Sequence, residues 1–162
     1  MEKYVYIDGW KSKIRFSAAH VIPEYEKCGR LHGHSYAIHA KIYGEPDEKG
    51  IIIDFSVLKE KLKEIADKLD HRILVPLNNE VTNVEKDNNS VKINQLNKSY
   101  KLPLQDCLLL PLDSVSAEKI SHYILQELIQ KLKDHFKDKN IYKIEIGVDE
   151  GYGQGARLIK KL

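Results

Sequence analysis

Cysteine is scarce in this chain. Two in 162 residues are too few for a disulfide framework, so each thiol reads as either a buried small side chain or a working group. Cys107 opens the apolar run CLLL and is expected in the core, whereas Cys28 sits in a polar loop. Charge of one sign is also lacking. Twenty-six Lys and Arg against 24 Asp and Glu leave a net +2, and no basic cluster is interleaved with aromatics. That excludes the footprint of a nucleic-acid binder but is compatible with a small anionic substrate. Long apolar runs are missing too. The longest, LLLPL after Cys107, is far short of the roughly 20 residues that span a bilayer. MEKYVYIDGW at the start has no apolar stretch leading to small residues, so no leader is read there and a cytoplasmic location without a membrane partner is expected. No internal repeat or linker appears. With 42% apolar and 31% charged residues, a single globular domain over 1–162 is the expectation.

What is present is periodic. IRFSAAH alternates and places Ile14, Phe16, Ala18 and His20 on one strand face; HSYAIHAKIYG does the same for His34, Tyr36, Ile38 and Ala40. The loop that carries Cys28 joins these two strands. GEPDEKG is a turn, and IIIDF then reads as a short strand ending at Asp54, a helix N-cap. Leu58, Leu62, Ile65 and Leu69 form one helical stripe that stops just before Asp70 and His71. The chain is polar and asparagine-rich from Asn78 to Asp106, and SVKINQ and KSYKL around LNK predict a hairpin within an insertion near 79–106. Ser116 caps a longer helix with the stripe Ile120, Ile124, Leu128, Leu132 and Phe136, and YKIEIGVDEG is a closing strand before a glycine-rich end. The order ββ, α, hairpin, α, β points to an α+β fold, an antiparallel sheet with two helices packed on one face.

The stretch CGRLHGHSY holds the chemistry. His32 and His34 are two apart, so on a strand both rings project from one face, and hairpin pairing across the Cys28 loop brings His20 towards them. Three neutral imidazoles suit zinc, and three protein ligands with a fourth position open is a catalytic arrangement. Spacing alone leaves open a pair of surface or packing histidines. Cys28 is also open to two readings: a fourth ligand that closes a structural tetrahedron, or a free thiol beside an open metal that moves protons. His39 has the other strand parity, and His122 and His135 lie off the helical stripe; all three read as solvated or packing residues. Asp70 and His71 form an adjacent pair that a helix end alone would explain, but that could also serve the thiol.

FSAAH, CGRLHGH, GIIIDFSVLK, LDHRIL, SAEKI and VDE occur in the order found in the 6-pyruvoyl-tetrahydropterin synthase family, which the chain resembles over most of its length. The C-x3-H-G-H spacing is similar to the 6-carboxy-tetrahydropterin synthase branch of queuosine and archaeosine biosynthesis. The resemblance implies the tunnelling fold (T-fold), in which antiparallel sheets of several subunits close a barrel and two rings stack, commonly as a homohexamer with sites between subunits. It places zinc on His20, His32 and His34 and the catalytic thiol on Cys28, with Asp70 and His71 as its partners. It sets Glu150 as the pterin anchor, and Ser116 and Glu118 at the helix start that also meets the substrate. A carboxylate suits that anchoring role because a pterin presents two adjacent N–H donors. The implied reaction converts 7,8-dihydroneopterin triphosphate to 6-carboxy-5,6,7,8-tetrahydropterin, acetaldehyde and triphosphate. The alternatives are a 6-pyruvoyl-tetrahydropterin synthase, which eliminates triphosphate only, and a non-enzymatic zinc-stapled module that binds pterin or a protein partner. The chain departs from the family pattern in its long 79–106 segment, in Ser116 where threonine is usual, and in Gly151 where a hydroxyl residue is frequent.

Overall fold

The alternation around the two histidine-bearing segments produces the expected pair of strands. In the computed structural model, which describes residues 1–137 and 140–162, β1 is Tyr4–Ile7, β2 is Arg15–His20 and β3 is His32–Glu45. β2 runs antiparallel to β3 with Phe16 opposite Tyr36, Ala18 opposite His34 and His20 opposite His32. β1 pairs with the far half of β3. α1 (Phe55–Leu69) follows, capped by the Asp54 carboxylate, which accepts from the Ser56 N–H. Next come β4 (Arg72–Pro76), β5 (Thr82–Lys86), β6 (Ser90–Gln95), β7 (Lys98–Pro103) and β8 (Cys107–Leu110). α2 (Ala117–Lys137), β9 (Asn140–Glu150) and β10 (Gly155–Lys161) complete the chain.

The main sheet has the order β10-β9-β3-β2-β4-β8, with β1 beside β3. Both helices pack on one face of it. Phe16, Ala18, Tyr36, Ile38, Ile144 and Ile146 meet the predicted stripes of α1 and α2 there. Each fully buried Leu or Ile in that layer contributes on the order of 2 kcal/mol of hydrophobic stabilisation, so this layer dominates the fold. The opposite face of β2 and β3 is polar and open, exposing Arg15, Ser17, Gly33 and Ser35. Two grooves of about 550 and 530 Å³ lie over it; Ser17 and Ser35 line both, His71 and Arg72 the first, Asp70 and Tyr152 the second. Among the described residues no helix is long and apolar enough to cross a membrane.

Several elements differ from the sequence expectation. Residues 51–54 form no strand: Ile52 and Ile53 are both buried, and two consecutive inward side chains require a bent path rather than a pleated one. The sheet is antiparallel at its centre but is extended by β4 and β8, which pair in parallel with β2 and with each other. These two strands, RILVP and CLLL, are short apolar runs without alternation, as strands covered on both faces are. The 79–106 segment holds the predicted hairpin β6–β7 plus β5, a three-stranded antiparallel sheet closed over a small core of Val75, Val91, Ile93 and Cys107. The glycine-rich end is β10, paired along β9.

One polar knot fixes the turn after β9. The Asp149 carboxylate is 8% exposed and accepts from Arg157 Nη2 at 2.7 Å, Trp10 Nε1 at 2.8 Å and His39 Nε2 at 2.9 Å. His39 is thereby a packing residue whose Nδ1 accepts the Gly9 N–H, while His122 and His135 are exposed as expected. Burial pushes the Asp149 pKa up, but the Arg157 and Trp10 hydrogen bonds outweigh it and hold the carboxyl below its usual range. Trp10 also stacks on Tyr152, with ring centroids 4.2 Å apart. Asp149→Asn is expected to cost about 2 kcal/mol, since hydrogen bonds to a charged group are each worth roughly 1.5–3 kcal/mol and the amide keeps some of them. Urea unfolding followed by the fluorescence of Trp10, the one tryptophan, reads the loss directly. An unchanged midpoint would show that the knot is not what secures this turn.

Candidate functional site

Strand parity and register together build the cluster. His32 and His34 share a face of β3, and the antiparallel pairing sets His20 directly opposite His32. The ligating nitrogens of the three rings all lie within 4.8 Å of one another. Their orientation is imposed from outside the triad. His20 Nδ1 faces the Val115 carbonyl at 2.8 Å, and His32 Nδ1 faces the Arg30 carbonyl at 2.6 Å. A carbonyl only accepts, so each Nδ1 carries the proton and each Nε2 presents a lone pair. The two Nε2 atoms are 3.1 Å apart. Two lone pairs at that separation repel unless a cation lies between them, and this donor set therefore fits a metal ion. Burial lowers the His20 pKa, against the opposing pull of the Val115 carbonyl and Glu150, which favours the neutral ring that can ligate.

Glu150 reaches the same point from the end of β9. Its Oε1 is 3.4 Å from both His20 Nε2 and His34 Nε2 and accepts the Tyr36 hydroxyl at 3.1 Å. The β3–β9 register makes this possible by pairing Tyr36 with Glu150. Tyr36 is fully buried, and burial together with the Glu150 charge raises its pKa, so it stays a donor. The alternation of the sequence set Tyr36 on the His34 face without giving it a role; its shared parity with the histidines was the available signal. The Val115 carbonyl was not foreseeable, because it arrives from a residue 95 positions away.

The remaining candidates fall into three groups. Cys28 is exposed in the loop between β2 and β3, close in sequence to the triad but outside the set of converging atoms. The three rings, without Cys28, thus make up the converging set of this arrangement. Asp70 and His71 are joined, His71 Nδ1 donating to Asp70 Oδ2 at 2.7 Å while Asp70 Oδ1 accepts the Ser17 N–H at 2.7 Å. Burial raises the Asp70 pKa, but the Ser17 and His71 hydrogen bonds outweigh it and keep the carboxylate ionised. Thus His71 Nε2 is left as an outward lone pair on a ring 83% exposed. Among the described residues no hydrogen bond or ion pair links this pair to the triad or to Cys28. Ser116 precedes α2 as the expected cap, its carbonyl accepting from the Ile120 N–H at 2.9 Å. Glu118 is exposed in the first turn, where the helix dipole alone accounts for it.

Comparison with known proteins agrees with this geometry. The family model described as 6-pyruvoyl tetrahydropterin synthase matches residues 10–158. A Methanocaldococcus jannaschii protein, provisionally named a 6-carboxy-5,6,7,8-tetrahydropterin synthase, is 37% identical over 93% of this chain and 92% of its own. A Synechocystis protein named 6-carboxy-5,6,7,8-tetrahydropterin synthase is 43% identical over 38% of this chain and 54% of its own. Among solved structures, 6-pyruvoyl tetrahydropterin synthase from Plasmodium falciparum is 34% identical with a TM-score of 0.91, covering 99% of both chains. Its Plasmodium vivax counterpart is 29% identical with the same TM-score, over 100% of this chain and 99% of that one. The α+β architecture is accordingly the tunnelling fold, and the chain belongs to the 6-pyruvoyl tetrahydropterin synthase family.

Proposed function

We propose that the protein is a zinc-dependent lyase that converts 7,8-dihydroneopterin triphosphate, with one water, to 6-carboxy-5,6,7,8-tetrahydropterin, acetaldehyde and triphosphate. The observation that carries the reading is the convergence of His20, His32 and His34 with two ring tautomers set by backbone carbonyls. The names of the relatives support the carboxy product. Zinc held by the three imidazoles would supply a Lewis acid that lowers the pKa of the substrate's side-chain hydroxyls. Glu150 accepts the two adjacent pterin N–H donors, held in place by the Tyr36 hydroxyl. Cys28 takes a proton from the side chain, and His71, its Nδ1–H held by Asp70, returns one through Nε2. Ser116 and Glu118 stand at the same end of α2 as the Val115 carbonyl, where they border the substrate. The exposure of the His71 ring supports a working site that combines the triad of one subunit with the Asp70–His71 pair of its neighbour, in a cytoplasmic homohexamer.

A second reading, elimination of triphosphate to the 6-pyruvoyl product, is favoured by the Plasmodium structures, whose chains match this one nearly end to end. The two differ by two carbons. Incubating the zinc-loaded protein with dihydroneopterin triphosphate and trapping volatile aldehyde decides between them. Acetaldehyde in amounts equal to the triphosphate released is expected; triphosphate without aldehyde would establish the pyruvoyl reaction instead.

A further inference from the structure

The loop between β2 and β3 is tied at three successive carbonyls. That of Cys28 accepts the Ile22 N–H at 2.7 Å. That of Arg30 accepts His32 Nδ1–H at 2.6 Å, so the next residue but one is a member of the triad. The carbonyl between them, Gly29, is held from outside the loop, by Lys98 Nζ at 2.8 Å and Gln95 Nε2 at 3.5 Å. Gly29 itself has no room for a side chain: a Cβ there would lie 2.3 Å from the Tyr25 carbonyl oxygen, whose partner is the Gly29 N–H.

Lys98 and Gln95 are the facing pair at the tip of the β6–β7 hairpin, flanking the two-residue turn Leu96–Asn97. Lys98 is itself exposed and reaches in with its ammonium, while Gln95 beside it is buried and its Oε1 has no hydrogen-bond partner. Gln95 is 2% exposed, and burying an amide is unfavourable unless it is hydrogen-bonded, so an apolar residue would fill this position more favourably if packing were all that mattered. The other end of the same inserted segment grips the same loop, where Asn79 Nδ2 reaches Glu24 Oε1 at 3.1 Å and the Asp113 carbonyl at 2.8 Å. The long 79–106 insertion thus touches the thiol-bearing loop at its start and at its hairpin tip, and at the tip the contact is one peptide bond from Cys28.

We propose that Lys98 and Gln95 are positioning residues for the Cys28 thiol, through which the inserted sheet sets how that thiol is presented to the metal side of the site. The proposal rests on the reading of Cys28 as the proton-moving group and extends it. A rigid backbone matters there because a displacement of about 1 Å in a proton-transfer group is enough to lower turnover about a hundredfold.

The test measures the thiol apart from catalysis. Cys28 is exposed and Cys107 buried, so iodoacetamide labelling with peptide mass mapping reports on Cys28 in the zinc-loaded protein without substrate. Lys98→Met, which leaves the buried Gln95 in place, and Lys98→Met with Gln95→Leu are compared with wild type and with Lys98→Arg. Metal content and the thermal midpoint serve as controls for fold. The labelling rate is expected to change about fivefold in Lys98→Met and more in the double variant. The kcat should fall about tenfold with KM within about twofold, and Lys98→Arg should restore both. A labelling rate unmoved in both variants overturns the proposal, whatever happens to turnover. A changed labelling rate with turnover intact supports the positioning and instead removes Cys28 from the chemistry, so failure of the functional reading is told apart from failure of the inference.

Discussion

Replacing His32 or His34 by alanine is expected to remove zinc binding and turnover together. Each ring contributes one of three nitrogens that meet within 4.8 Å, and His32 also faces His20 directly across the strand pair. Metal sites with four protein ligands bind zinc with roughly 10–16 kcal/mol, or about 2.5–4 kcal/mol per ligand, so losing one of three should weaken binding by about 70-fold or more. Turnover should then fall to background, because the substrate hydroxyls would be without the Lewis acid that the proposed zinc supplies. Metal analysis after gel filtration, with circular dichroism to show a retained fold, gives the answer. The fold should survive, because both rings lie at the edge of the core and His34 is 27% exposed. A His34→Ala protein that keeps one zinc per chain would refute the ligand set and shift attention to Glu150, whose Oε1 is 3.4 Å from two of the rings.

Cys28→Ala is expected to retain zinc and to lose turnover by about 10²- to 10⁴-fold, the usual contribution of a positioned acid or base. The thiol lies outside the converging atoms, so its removal leaves the metal untouched. His71→Ala is expected to be equally inactive and equally metal-loaded. The pair then locates the site. Mixed oligomers of the two inactive variants should regain activity, because some interfaces join an intact thiol loop on one subunit to an intact His71 on the next. Random mixing places both intact halves together at about one interface in four, so recovery to about a quarter of wild type is the ceiling. The exposed His71 ring, bonded only to Asp70, is what favours this arrangement. Mixed oligomers confirmed by native mass spectrometry yet without activity would place the thiol and the Asp70–His71 pair in one subunit's site.

Local patterns carried most of what could be read before the structure. A period of two on β2 and β3 put His20 on one face and His32 and His34 on another strand's face, and a period near 3.6 found the buried stripes of α1 and α2. Residue type did the rest, since imidazole, thiol and carboxylate in CGRLHGH and VDE limit the chemistry strongly. The missed strands are β1, β4, β5, β8 and β10, and they do not share one cause. β1, β4 and β8 are four or five residues long with weak or no alternation, and their pairing partners lie far off in sequence, whereas β10 folds straight back on its neighbour β9 and was hidden by the glycines that precede it.

By itself, then, the sequence determined which side chains are available and which of them share a face, because side-chain direction follows from backbone geometry within a few residues. Only the tertiary structure decided which faces meet. The β2–β3 register set His20 opposite His32, and the β3–β9 register brought Tyr36 to Glu150. The start of α2 delivered the Val115 carbonyl that orients His20, and the inserted hairpin delivered Lys98 to the carbonyl beside Cys28. Each of these contacts closes a stretch of chain whose geometry is fixed by the packing of the whole sheet and helix layer, and no local rule of spacing encodes it.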